Sequence, residues 1–213
     1  MQAAGIQKVN SFNTVLRLLA ARTGSLLNMS DIAAGASVEV STVGDWIAVL
    51  ERTNLVMRLQ PFHSNLNKRL IKSPKIHVID AGLALHLQGW SEAGPAMLSP
   101  QISGIFESLV VGEVIRTRDH FLRDWQLFFW RTKEGEEVDL VVIGPNQHTV
   151  LIECKVAHDA VSDIPISPSL AKDFPAAKTI IVATSGGAER RISRTTWQVP
   201  ITKLRDRLLA AFA

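Results

Sequence analysis

The chain has 213 residues, 46% hydrophobic and 20% charged, a composition that affords a sizeable core in one large or two small domains. Its single cysteine excludes an internal disulfide framework and suits a reducing compartment. No apolar run approaches the roughly 20 residues that span a bilayer and the start MQAAGIQKVN lacks a signal peptide's apolar core, so a cytoplasmic protein with no membrane partner is expected.

The net charge of +3 is unevenly spread: residues 1–90 hold 9 Lys/Arg against 5 Asp/Glu, and residues 91–213 hold 14 against 15. The basic N-terminal part is compatible with a nucleic-acid partner, though it is no continuous basic stripe.

In SFNTVLRLLAARTG the residues Phe12, Val15, Leu16 and Leu19 recur on one helical face, with Ser11 as cap and Gly24 as stop. Ser30 before DIAAGA predicts a short capped helix, and in VEVSTVGDWIAVLERTN the spacing of Val43, Trp46, Ile47 and Leu50 predicts a third. LVMRLQPF and KSPKIHVID read as strands around the polar loop HSNLNKRLIK, which gives three helices and a hairpin, the order of a winged helix over residues 1–90. Lys68, Arg69 and Lys72 would be the nucleic-acid-binding residues, placed in the wing to touch phosphate. The outer face of the third helix (Ser41, Thr42, Asp45, Ala48, Glu51, Arg52) is acidic and poor in base-reading side chains, so a structural or protein-docking role stands beside DNA reading, and Trp46 reads as core.

Asp80 opens a further short helix, AGLALHLQ, and SEAGPAMLSPQIS collects Gly, Pro and Ser without periodicity, so residues 91–103 are expected to be a linker. None of the six histidines has a second ligand type at a matching spacing, and each reads as packed or half-exposed. From residue 104 the chain alternates between helix and strand: GIFESLVVGEVIRTRDHF as helix, WQLFFWR, EVDLVVI and TVLIECKV as strands, a short helix within VSDIPISPSLAKDFPAA, KTIIVAT as a buried parallel strand, WQVPI as an edge strand, and TKLRDRLLAAF as a closing helix. The fold class is α/β in the α+β sense, with a mixed sheet flanked by helices over residues 104–213.

The chemistry concentrates in EEVDLVVIGPNQHTVLIECK. Alternation along a strand puts Glu153 and Lys155 on one face and Cys154 on the other, and the turn formers GPNQ would return the chain so that Asp139 approaches Glu153. Two carboxylates suit a hard divalent cation, which lowers the pKa of water and stabilises charge developing on a phosphodiester. Lys155 would orient or help deprotonate the attacking water and offset transition-state charge. An ordinary surface ion pair between Glu153 and Lys155 would show the same spacing. Glu107 and Glu113, six apart on a helix, cannot both face one small site.

A helix bearing Glu107, a strand bearing Asp139 and a strand bearing Glu153-Cys154-Lys155 occur in an order that resembles the PD-(D/E)XK, or restriction-endonuclease-like, nuclease fold. The resemblance implies Glu107, Asp139, Glu153 and Lys155 as catalytic residues, with Asp139, Glu153 and the Cys154 carbonyl as ligands of Mg2+ or Mn2+. Val138 stands where proline precedes the motif's aspartate. Over the whole chain, LLAARTGSLLN, NKRLIKSPKIHVIDAGLA, GIFESLVVGEV and EEVDLVVI with IECK resemble the C-terminal part of AAA-type P-loop ATPases carrying the domain of unknown function family 4143. That resemblance implies a winged helix followed by a nuclease-like domain acting on DNA or RNA, and an ATPase domain or subunit encoded elsewhere as partner; of the two nucleic acids DNA is the more expected partner. No GxxxxGK[ST] occurs, so no ATPase activity is expected of this chain. A nuclease fold that binds or regulates without cleaving is the alternative.

Overall fold

A computed structural model describes residues 2–62 and 73–213. Their contacts group into two compact units: residues up to Leu59 together with Ser73–Leu109, and Val110–Ala213 together with the described residues from Gln60. Lys68, Arg69 and Lys72, the residues expected to touch phosphate, lie outside the described residues.

The first unit opens with α1 (Gln2–Ala21). The helix starts well before Ser11, because the preceding residues include good helix formers and no proline, so Ser11 is an interior position and not a cap. Val15 and Leu19, one turn apart, are fully buried. Gly24 follows the helix with φ +79°, a left-handed conformation that a β-carbon disfavours. The two-residue strand β1 (Ser25–Leu26) leads to α2 (Met29–Ala36), where the cap is Asn28 and not Ser30. The Asn28 side chain accepts from the Asp31 amide at 3.2 Å, which it can do because Asn28 is still extended while Ser30 is already helical. In α3 (Val40–Arg52) the buried positions are Val43, Ile47 and Leu50. Trp46 sets its ring edge-on to Phe12 with centroids 5.4 Å apart, as a core residue would.

Strands β2 (Val56–Pro61) and β3 (Lys75–Val78) pair antiparallel with Val56 opposite Val78, and β1 pairs with β3 on its other side. Next comes α4 (Ala81–Leu87), capped by Asp80, which accepts from the Leu83 amide at 2.9 Å. Where a linker was expected, α5 (Ala93–Met97) forms a short helix. One apolar cluster, including Leu19, Ile32, Ile47 and Ile76, joins α1, α2, α3 and α4 to strands β2 and β3. Truncating any of these to alanine would cost about 2–5 kcal/mol. Helix α6 (Ile102–His120) is shared, its residues to Leu109 counted in the first unit and those from Val110 in the second.

The second unit is a mixed sheet. Its strands are β4 (Gln126–Arg131), β5 (Glu137–Ile143), β6 (Thr149–Lys155), β7 (Ala177–Thr184), β8 (Arg190–Arg191) and β9 (Thr196–Pro200), with α7 (Pro168–Asp173) before β7 and α8 (Leu204–Ala211) last. The spatial order is β4-β5-β6-β7-β9-β8, antiparallel from β4 to β6, parallel from β6 through β7 to β9, and antiparallel again at β8. The turn between β5 and β6 holds Asn146 and Gln147 at φ +56° and +59°, the left-handed region that asparagine tolerates best among non-glycine residues. Strand β9 is not an edge strand as expected. It lies between β7 and β8, because the two-residue β8 is too short to show a hydrophobic period.

Candidate functional site

Strands β5 and β6 form the predicted hairpin. Leu140 pairs with Ile152, and Val141 with Leu151. Opposed residues share a face and alternate residues return to it, so Asp139, Val141, Leu151, Glu153 and Lys155 stand on one face of the sheet. Leu151 and Val141 pack there against Leu170, Phe174 and Ile180, which places the two carboxylates at the border of a dry apolar cluster.

Three contacts define the local geometry. Asp139 Oδ2 accepts a hydrogen bond from the Cys154 amide at 2.8 Å, tying β5 to β6 just beyond the last ladder pair. Lys155 Nζ donates to Glu153 Oε1 at 2.8 Å. The Cys154 side chain, next in the alternation, belongs to the other face. Burial first, and then the Asp139 carboxylate, push the Glu153 carboxyl above its usual range against the opposing hydrogen bond from Lys155. The Lys155 ammonium is held above its usual value chiefly by that same hydrogen bond. Lys155 is therefore a fixed cation while Glu153 is ionised: it can neutralise charge and orient a neighbour, but it has no lone pair with which to take a proton.

The donor chemistry suits a hard divalent ion, since two like-charged carboxylates repel across adjacent strands and a cation between them would remove that repulsion. Asp139, Glu153 and the Cys154 carbonyl are the atoms that would hold it. Among the described residues no group of three or more His, Cys, Asp or Glu side chains converges as metal ligands, so the carbonyl and water would have to complete the set.

Glu107 belongs to the first unit. There it is 8% exposed, with Oε1 2.8 Å from Lys75 Nζ and 3.7 Å from His77 Nε2. His77 Nδ1 lies 2.9 Å from Ser108 Oγ, which is 2.7 Å from Thr23 Oγ1 and donates to the Gly104 carbonyl. Thr23 Oγ1 in turn accepts from the Val78 amide. Burial pushes the imidazole of His77 down to about 3, with the Lys75 charge as the next cause. The nearby Glu107 would favour an imidazolium, but it is already ion-paired to Lys75, so His77 is neutral. Glu113, the less favoured of the two helix carboxylates, pairs with Arg116 on the exposed side.

Sequence reasoning missed Lys75 and His77 as a pair, and it missed Glu137. The signal was present in both cases: Lys75 and His77, like Glu137 and Asp139, are two apart in a strand and so share a face. Glu137 is 3.7 Å from Arg131 and adds to the negative potential at Glu153.

Two family models match the chain in part, both domains of unknown function: DUF8612 over residues 1–94 and DUF4143 over residues 103–204. Uncharacterised proteins of Mycobacterium bovis and Mycobacterium tuberculosis are each 28% identical to it over 125 residues, 59% of this chain and 27% of the relative. The chain thus spans only about a quarter of the length of these curated relatives. No solved structure matches.

Proposed function

We propose that the second unit is a metal-dependent phosphodiesterase site of the PD-(D/E)XK type, acting on nucleic acid and on DNA in preference to RNA. The observation that carries this reading is the bond from the Cys154 amide to Asp139, which draws the β5 carboxylate to the strand bearing Glu153 and Lys155. In this reading Asp139, Glu153 and the Cys154 carbonyl hold Mg2+ or Mn2+, which when bound supplies Lewis acidity toward the phosphate and a more acidic water. Lys155 then neutralises charge gathering on the phosphate and orients the nucleophile, and the apolar floor at Leu151 excludes bulk water. Glu107 enters through the family resemblance alone.

The first unit supports a winged-helix reading by its order of elements: helix, short strand, two helices, then an antiparallel hairpin joined by that short strand. Lys68, Arg69 and Lys72 would then supply phosphate contacts, and an ATPase domain or subunit would be the partner. A second reading, a nuclease fold that binds or regulates without cleaving, is favoured by one observation: Asp139 and Glu153 are not joined by a third ligating side chain among the described residues.

Purified full chain incubated with Mg2+ or Mn2+ should nick DNA. Asp139→Asn and Lys155→Ala should each lower the rate at least a hundredfold, the scale lost with one electrostatic stabiliser. Equal cleavage by Lys155→Ala and wild type would refute the catalytic assignment. Nucleic-acid binding without any metal-dependent cleavage would select the second reading.

A further inference from the structure

The second unit contains a cavity of about 170 Å³ whose wall includes Glu153. Water occupies about 30 Å³ per molecule in the liquid, so this space is several waters in size, the scale of a planar heterocycle and much larger than a metal ion. Its apolar lining comes from Trp130, Leu151, Ile164, Pro165, Leu170 and Ile180. The polar lining is Glu136, Glu137 and Glu153 with Ser167, whose Oγ accepts from the Leu170 amide. Among the described residues no Lys or Arg lines it.

Apolar walls with carboxylates at the margin match one ligand chemistry closely. A nucleobase has two apolar faces that stack on side chains and an edge that hydrogen-bonds. Carboxylates only accept, so they select an edge rich in N–H donors. Cytosine and adenine each offer an exocyclic amino group, and guanine offers a ring N–H beside one. Uracil and thymine present a single N–H flanked by carbonyl oxygens, which ionised carboxylates repel. A phosphate is disfavoured in the cavity itself: three acidic residues line it, and the cations that pair with two of them, Lys155 with Glu153 and Arg131 with Glu137, are not in its wall among the described residues.

We infer that this cavity is a nucleobase slot that accepts an amino-bearing base, cytosine, adenine or guanine, turned out of its strand and rejects uracil and thymine. Glu153 belongs to both the slot and the Asp139 pair, so a base seated in the slot would bring its own backbone to the phosphodiester site. That last connection rests on the phosphodiesterase reading above; the base preference does not. Trp130 lines the slot with its indole N–H anchored to Asp173 Oδ2 at 2.8 Å, which fixes the plane of the ring.

The test separates the two claims by omitting metal. The full chain is titrated calorimetrically, in EDTA, with cytidine, guanosine and uridine as the probes. Cytidine or guanosine should bind saturably and at least about tenfold more tightly than uridine, the discrimination expected of one good edge contact. Glu136→Gln, at a half-exposed position outside the proposed metal ligands, should reduce that preference several-fold. Equal binding of all three nucleosides, saturable binding of uridine alone, or no saturable binding of any would overturn the slot, whatever the cleavage assay shows. Selective binding with no cleavage would keep the slot and remove the phosphodiesterase reading.

Discussion

Lowering the pH should destabilise the first unit through one residue, His77. The side chain is fully buried, its Nδ1 engaged with Ser108 and its Nε2 without a hydrogen-bond partner among the described residues, and its pKa is pushed down from 6.5 to about 3. The folded-state value lies below the unfolded one, so the stabilisation is complete above about pH 6.5 and is lost as pH falls toward 3. Across that window the unfolded chain binds one more proton than the native one, and each pH unit costs about 1.4 kcal/mol. Between pH 7 and pH 5, where the unfolded imidazole passes from mostly neutral to almost fully charged, linkage gives about 2 kcal/mol. The assay is urea unfolding at both pH values for wild type and His77→Gln, which keeps a polar side chain but does not titrate. Wild type should lose about 2 kcal/mol more than the variant between the two pH values. Parallel losses would refute the reasoning. Should the variant fail to fold, the wild-type imidazole resonance followed by NMR gives the same answer, because titration of native His77 above pH 5 contradicts the buried neutral ring.

Two further measurements probe other elements. A β-carbon on Gly104 would lie 2.4 Å from the Thr23 carbonyl oxygen, whereas one on Gly44 would meet nothing within 4 Å among the described residues. In thermal or urea unfolding, Gly104→Ala should therefore cost about 1–3 kcal/mol and Gly44→Ala, inside α3, should gain about 0.5–1 kcal/mol; the reverse order would contradict the close approach. The raised carboxyl of Glu153 has the opposite sign to His77: its contribution is present below the usual carboxylate range and is lost as pH rises through the raised value. Glu153→Gln should thus become more stable relative to wild type from pH 4 to pH 7 without metal. Adding Mg2+ at pH 7 should raise the melting temperature of wild type and not of the variant. A pH-independent difference would remove the like-charge argument at this site.

The parts legible in the sequence were those governed by short-range pattern. Short apolar runs marked EVDLVVI and TVLIECK, the turn formers between them marked the hairpin, and the offset of Cys154 from Glu153 and Lys155 followed from pleating alone. Strand β1 and strand β8 were not legible, because two residues carry no period and exist only through pairing with Ile76 and Gln198. The cap of α2 was misread by two residues because Asn28 and Ser30 are both good caps, and only the backbone at Asn28 decides between them. Glu107 could be placed on a helix from sequence, but its ion pair with Lys75 joins residues 32 apart, and no local rule reaches that far.

The shared helix α6 bears on how the chain can be divided. A cut within residues 91–103, where the composition suggests a joint, would separate Lys75 from Glu107, His77 from Ser108, and Gly24 from the glycine it abuts. A fragment ending at residue 90 would keep a buried ammonium and a buried imidazole while losing the carboxylate and hydroxyl that face them, and such a cut costs several kcal/mol. The heritable piece here is larger than the three-helix and hairpin segment: the first turns of α6 travel with it. A recombination, truncation or fusion that respects the protein would cut after Leu109 or leave the helix whole.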